Sequence, residues 1–422
     1  MPAGRHSARA SHDAALAAAG AARIAWADGQ MPLLRAVRVR FAHDQPLAGL
    51  RIAACLHVTA ETANLVRALC AGGAHVALCA ANPLSTQDDV AAALVSDHGA
   101  EVYAERGEDR AAYAGHLRRL VAASPQLLID DGAELIVAAH EAAAPIAASL
   151  IGATEETATG LVRLRAMQSQ GTLRCPVLAV NDTLTERVFN DRYGTGQSTL
   201  DGILRATNLL FAGRSVVVFG YGSAGRGVAA RAKGAGAAVT VCEVDPVRAL
   251  EARMEGFAVM GALAAAAIGE VFITVTGAPD VLRREHFERM PDGAVLANAG
   301  HFDVEISLSD LAAIANGPAQ AVLPLVDEYQ LPDGRRLHLV AKGRVVNLAA
   351  AAGHPAAVMD MSFAAQALAV EHLASSAGQL QAGVHIPPAA LDREVAQLKL
   401  ASLGITIDVL RPEQERYLRS FR

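Results

Sequence analysis

The clearest chemical signal in the chain is Gly220-Tyr221-Gly222-Ser223-Ala224-Gly225, which has the spacing G-x-G-x-x-G. It follows the apolar run Val216–Phe219 and opens a helical pattern. In that context Gly220 permits a tight turn and Gly222 lets a pyrophosphate approach the backbone. Gly225 lets the helix pack close to the strand. The free N–H groups at the helix start favour an anion. Glu243 stands about twenty residues on, at the end of the next apolar run, where an acid binds adenosine ribose hydroxyls and disfavours a 2′-phosphate. The expected cofactor is NAD rather than NADP.

A second constellation lies upstream. The apolar runs Leu50–His57 and Gln126–Gly132 are expected to be buried parallel strands, and they end in His57 and in Asp130-Asp131. Ligands of open α/β sheets sit beyond the carboxyl ends of the strands. A histidine and two carboxylates there can move protons on a bound substrate.

The elements that must position these groups alternate short β-branched runs with longer Ala-rich amphipathic runs, the rhythm of βαβ units. Further strands are expected at His75–Ala80, Ala100–Ala104, Ala237–Asp245, Glu270–Gly277 and Ala294–Gly300, and a helix at about 198–211. The fold class is therefore α/β, with two Rossmann-like doubly wound parallel-sheet domains and a small C-terminal helical segment. Residues 1–190 form a substrate-binding domain, completed by about 350–385. Residues 191–349 form the NAD-binding domain, and 386–422 a C-terminal oligomerisation tail.

Composition narrows the function classes. The 422 residues are 52% hydrophobic and 19% charged, with net charge −6. That excludes a disordered chain and gives no basic surface for nucleic acid or an anionic membrane. No apolar stretch reaches the roughly 18 residues that span a bilayer. The N-terminal Met1–Gly20 segment has basic residues without a following apolar core, so no secretory signal is expected. Cys55, Cys70, Cys79, Cys175 and Cys242 are scattered and odd in number, which argues against a disulfide framework or structural zinc and fits a reducing cytoplasm. No metal is expected.

Several segments resemble the S-adenosylhomocysteine hydrolase family in its shorter, archaeal-like form. They include CLHVTAETANLV, NPLSTQDD, LIDDGAEL, GATEETATG, YGTGQST, NAGHFDVEI and GRVVNLAAAAGHPAAVMDMSF, in collinear order over nearly the whole chain. The resemblance implies a tightly held NAD that is recycled: a sugar 3′-hydroxyl is oxidised, the C4′ proton is removed, and the C5′ substituent leaves. It implies acid/base roles for His57, Asp131 and His301. It implies substrate contacts at Thr59, Glu61, Glu156, Asn181, His354 and Phe363, with Gln87 and Ser362 as weaker candidates. Cofactor contacts are implied at Thr157, Thr159, Asp191, Thr276 and Asn347, beside Gly220, Gly222, Gly225 and Glu243. A small nucleoside substrate and a homo-oligomer, tetramer or dimer, are implied as well.

The departures cluster at one place. Where the family pattern reads T-K-x-x-F-D-N, this chain has Thr185-Glu186-Arg187-Val188-Phe189-Asn190-Asp191. Glu186 and Asn190 stand where the resemblance implies catalytic groups at the sugar edge. The charge reversal favours a rebuilt sugar pocket. The expectation is dehydration of a modified-sugar nucleoside, such as psicofuranosyl adenine, to an exocyclic alkene, as in angustmycin-type antibiotic formation. The alternative is S-adenosylhomocysteine hydrolysis. A silent NAD-binding regulator is the third reading, and the retained His57, Asp131, Glu156 and His301 argue against it.

Overall fold

The computed structural model describes residues 4–142 and 150–420, and from residue 14 on their side chains. Two sheets organise the chain. The first contains β1 (Arg51–Leu56), β2 (His75–Ala80), β3 (Glu101–Tyr103), β4 (Leu127–Asp130), β5 (Gly152–Glu155), β6 (Pro176–Ala179) and β15 (Gly383–His385). All its pairings are parallel, in the order β15-β6-β5-β4-β1-β2-β3. The chain winds one way from β1 and the other way from β4, so the topological switch point lies between these two neighbours. Their carboxyl ends lead into His57 and Asp131, which opens a crevice there.

The second sheet contains β7 (Ser215–Phe219), β8 (Ala238–Cys242), β9 (Ala258–Val259), β10 (Val271–Thr274), β11 (Ala294–Asn298), β12 (Gln320–Leu323), β13 (Val326–Gln330) and β14 (Arg336–Val340). Its order is β12-β13-β14-β11-β10-β7-β8-β9. The switch point falls between β7 and β10, where Gly220 and Thr276 follow. This sheet is mixed: β13 runs antiparallel to both β12 and β14, on the far edge from the site. The expected doubly wound architecture is present in both lobes, with that antiparallel edge added.

Burial on both faces explains the continuous apolar strands. β4 and β11 are buried throughout, and β7 from its second residue on. The helix Ala356–Ser375 returns the chain to the first lobe and is buried almost all round. Its Asp360, fully buried, accepts from the backbone N–H groups of Leu33 and Leu34 and from Lys399 Nζ at 2.7 Å. One carboxylate thereby ties together three helices, including Ala389–Ser402, whose Leu391 and Val395 pack onto this lobe. Residues 403–420 are exposed.

Candidate active site

A cavity of about 360 Å³ lies between the lobes. The first lobe lines it with His57, Thr59, Glu61, Asp131, Glu156, Thr157, Thr159 and Asn181. The second lines it with Gly222–Gly225, Thr276, Gly300 and His301, and the connections add Asn190, Asp191, Asn347, His354 and Phe363. Most residues singled out from the sequence thus meet around one space, although they span some 300 positions of chain.

The acid/base cluster stands on the switch point of the first sheet. Asp131 Oδ2 lies 3.2 Å from His57 Nε2, and Oδ1 lies 3.7 Å from His301 Nδ1. His57 Nδ1 is 2.7 Å from Ser85 Oγ, and Ser85 Oγ is 2.7 Å from the carbonyl of Asn82. A hydroxyl has one proton, and the carbonyl can only accept it, so Nδ1 donates to Ser85. With its one proton on Nδ1, the neutral His57 ring turns a bare Nε2 toward Asp131 Oδ2 at ion-pair distance. Burial pulls the His57 pKa down, and the Asp131 carboxylate opposes that. A bare Nε2 beside a carboxylate can take a proton from a substrate, and the carboxylate then stabilises the imidazolium.

Glu155 and Glu156 divide their work because β5 alternates faces. Glu155 turns away from the cavity and is fully buried. Its carboxylate accepts from the N–H groups of Gly132, Ala133 and Thr157 and from Thr157 Oγ1. This clamps the turn that carries Asp131. Gly160 is required beside it, since a Cβ there would stand 2.3 Å from the Glu155 carboxyl carbon. Glu156 lines the cavity and accepts from Ser362 Oγ at 3.0 Å. Burial, and then the neighbouring Asp131 and Glu186 carboxylates, raise its pKa well above the usual range.

The glycine-rich loop fits a dinucleotide. Gly220 has φ +100°, and a Cβ at Gly225 would lie 2.1 Å from the Gly220 carbonyl, so both positions need glycine. A Cβ on Gly222 would meet only Arg248 Nη1, at 3.7 Å. Nothing in the protein demands glycine at 222, and the open face is where a pyrophosphate can approach the start of helix Ser223–Gly234. Glu305, which sequence reasoning missed, holds the opposite turn: it accepts from the backbone of Thr276 and Gly277 and from Thr276 Oγ1. Asn347 lines the same end and donates to Ser198 Oγ at 2.6 Å.

Some expected residues stand elsewhere. Glu186 does not face the cavity: it is buried behind Asn190, whose Nδ2 donates to its Oε2 at 2.6 Å. Burial raises its pKa to about 7. Ser362 lies behind Glu156. Gln87 sits at the start of helix Asp88–His98, outside the lining. Glu243 is outside the lining too, with its carboxylate taken by the N–H groups of Tyr221, Val244 and Asp245. Ser85, Glu155 and Glu305 belong to quoted motifs, but nothing in their spacing separates them from their neighbours. Among the described residues no cluster of three or more His, Cys, Asp or Glu suits a metal ion. No helix there is long and apolar enough to cross a membrane.

Comparison with known proteins bears on this geometry. Residues 191–353 match the family model described as S-adenosyl-L-homocysteine hydrolase, NAD binding domain, and residues 10–147 match S-adenosyl-L-homocysteine hydrolase. An adenosylhomocysteinase of Aquifex aeolicus is 55% identical over 409 residues, 97% of this chain and 98% of its own. One from Thermosynechococcus vestitus is 53% identical over 97% of this chain and 95% of its own. An S-inosyl-L-homocysteine hydrolase of Methanopyrus kandleri is 50% identical over 98% and 97%. These relatives overturn the expected dehydration of a modified-sugar nucleoside, because proteins 50–55% identical over nearly the whole chain are named adenosylhomocysteinase or S-inosyl-L-homocysteine hydrolase. The physical reason lies in Glu186. The reversed charge on which that expectation rested is turned into the protein against Asn190 and does not reshape the cavity wall.

Proposed function

The chain belongs to the S-adenosyl-L-homocysteine hydrolase family, and from that premise we propose that it cleaves S-adenosyl-L-homocysteine to adenosine and homocysteine. The observation that carries this reading is the single cavity with a dinucleotide loop on one wall and the His57–Asp131–His301 cluster on the other. NAD is the cofactor of the family domain. When bound, it supplies the reversible oxidation of the 3′-hydroxyl that makes the C4′ proton acidic enough to remove.

The chain's own residues do the rest. Glu156, held by Ser362, and Asn181 hold the sugar hydroxyls. Asp131 is shared by the two histidines and moves protons at C4′ and C5′. The C5′–S bond breaks as the C4′ proton is lost, homocysteine leaves as the protonated thiol, and one water then adds at C5′ to give the hydroxyl of adenosine. Thr59, Glu61, His354 and Phe363 enclose the base. Thr159 on the first lobe and Asn347 on the connection flank the nicotinamide end, and Asp191 joins them.

Two features support an assembled, cytoplasmic enzyme. The cysteines are free. The exposed segment 403–420 displays Leu403, Ile405, Ile407, Val409, Leu410, Tyr417 and Leu418, an apolar content that a second copy of the chain would cover. Light scattering is expected to give a multiple of 43.7 kDa; a monomer would contradict this part.

The activity test offers purified protein S-adenosyl-L-homocysteine and, separately, S-inosyl-L-homocysteine, with products followed by mass spectrometry. Adenosine and homocysteine should form at about 10⁴ M⁻¹s⁻¹ or faster in kcat/KM. Cleavage of the inosyl compound alone would reassign the base, and cleavage of neither would overturn the proposal.

A further inference from the structure

We propose that Glu186 and Asn190 form a positioning pair that fixes the ring tautomer of His354, so that His354 turns an unprotonated Nε2 toward the cavity. This rests on the site reading above only for the identity of the ligand that meets Nε2.

Asn190 Nδ2 donates to Glu186 Oε2 at 2.6 Å. An ionised carboxylate only accepts, so the amide must present its NH₂ group to Glu186. Its oxygen is thereby directed at His354 Nδ1, with which Asn190 Oδ1 makes a short contact. An amide oxygen also only accepts, so Nδ1 carries a hydrogen. Burial lowers the His354 pKa to about 4, so the ring holds a single proton at neutral pH. That proton is on Nδ1, and Nε2 is a bare acceptor. It lies 3.3 Å from Thr195 Oγ1, and both residues line the cavity.

Local structure is built for this contact. Glu186–Gly194 forms a π-helix, an irregularity that re-aims side chains at functional sites. It ends at Gly194, where a Cβ would lie 2.8 Å from His354 Nδ1 and 3.2 Å from Asn190 Oδ1. Only glycine leaves room for the two side chains to meet.

Positions 186 and 190 depart from the family pattern together for the same reason. A Lys–Asp pair leaves a carboxylate oxygen for His354 Nδ1, and a Glu–Asn pair leaves an amide oxygen. Both fix the same tautomer. A Lys–Asn pair does not: the amide turns its oxygen to the ammonium and its NH₂ to Nδ1, which must then accept. The proton moves to Nε2, and an acceptor in the cavity wall becomes a donor. The coupled exchange conserves a tautomer rather than a charge, and suits a ligand that offers an N–H or O–H at this point.

The test uses protein labelled with ¹⁵N-histidine, at pH 8, above the region near 7 where Glu186 titrates. Two-bond ¹H–¹⁵N spectra distinguish the protonated from the bare ring nitrogen, and the His354 signals are those lost in His354→Gln. Wild type should show Nδ1–H and a bare Nε2. Glu186→Lys should show Nε2–H. Glu186→Lys with Asn190→Asp should return to Nδ1–H, and Asn190→Asp alone should keep it. The wild-type spectrum alone overturns the proposal if the proton is on Nε2, whether or not any variant folds. An unchanged tautomer in folded Glu186→Lys overturns it too. Because the readout needs no turnover, its failure leaves the assignment of the substrate untouched.

Discussion

His301 Nδ1, on the lobe that carries the glycine-rich loop, lies 3.7 Å from Asp131 Oδ1 on the other lobe. The two lobes therefore meet at a titratable contact. Acid/base chemistry exists only when both face the same cavity, with His57 3.2 Å from the other Asp131 oxygen. Asp131→Asn removes the carboxylate charge while keeping the shape. It should slow turnover by about 10²–10⁴ with little change in substrate affinity, measured as kcat against KM. Equal losses in KM and kcat/KM with kcat unchanged would assign Asp131 to binding alone.

Gly222 and Gly225 make opposite predictions. Gly225→Ala places a Cβ 2.1 Å from a carbonyl oxygen and should destabilise the loop itself, seen as a lower melting temperature without nucleotide. Gly222→Ala meets only Arg248, 3.7 Å away, so its melting temperature without nucleotide should match wild type. Its NAD affinity should fall by about tenfold or more, because the pyrophosphate needs that face of the backbone. Calorimetric titration with NAD separates the two.

Glu155 and Gly160 test the support beneath Asp131. Gly160→Ala drives a methyl into the buried carboxylate and should cost roughly 2–4 kcal/mol of stability. Gly234→Ala is the control: its site is open and helical, so the change should be neutral or slightly stabilising. Chemical denaturation of the two variants compares them.

Glu186 should make stability depend on pH. Its folded pKa, raised by burial to about 7, exceeds that of an exposed glutamate, near 4.5. The folded state therefore holds the proton more tightly than the unfolded state. The resulting stabilisation is fully present below about 4.5, and is lost as pH rises through about 7. Glu186→Gln carries no such proton. The wild-type-minus-variant stability should fall by up to about 3 kcal/mol between pH 5 and pH 8, read from denaturant melts. A constant difference across that range would contradict a buried, proton-binding Glu186.

Much of this was legible in the sequence, for physical reasons. Gly220, Gly222 and Gly225 announce themselves because a backbone that must turn tightly or admit a phosphate tolerates little else. His57 and Asp131 are legible because each ends an apolar strand, and sheet topology puts adjacent strand ends together. β5 was not: Gly152–Glu155 carries only four residues before a run of threonines, and two adjacent glutamates resemble a solvated helix start. Which glutamate faces the ligand depends on strand alternation, and that depends on pairing with β4 and β6. Glu186 misled for a related reason. Its charge is visible in the sequence, but its direction is set by a π-helix that no periodicity reports.

The central claim is that this chain moves a proton at C4′ of the nucleoside without net oxidation. It is tested most directly by incubating the protein with adenosine in D₂O, with no homocysteine present. Adenosine should gain one deuterium at C4′, by mass spectrometry and NMR, with no net loss of NAD, and Asp131→Asn should slow the gain by about 10²–10⁴. Cleavage of S-adenosyl-L-homocysteine with the C4′ hydrogen retained would contradict the account.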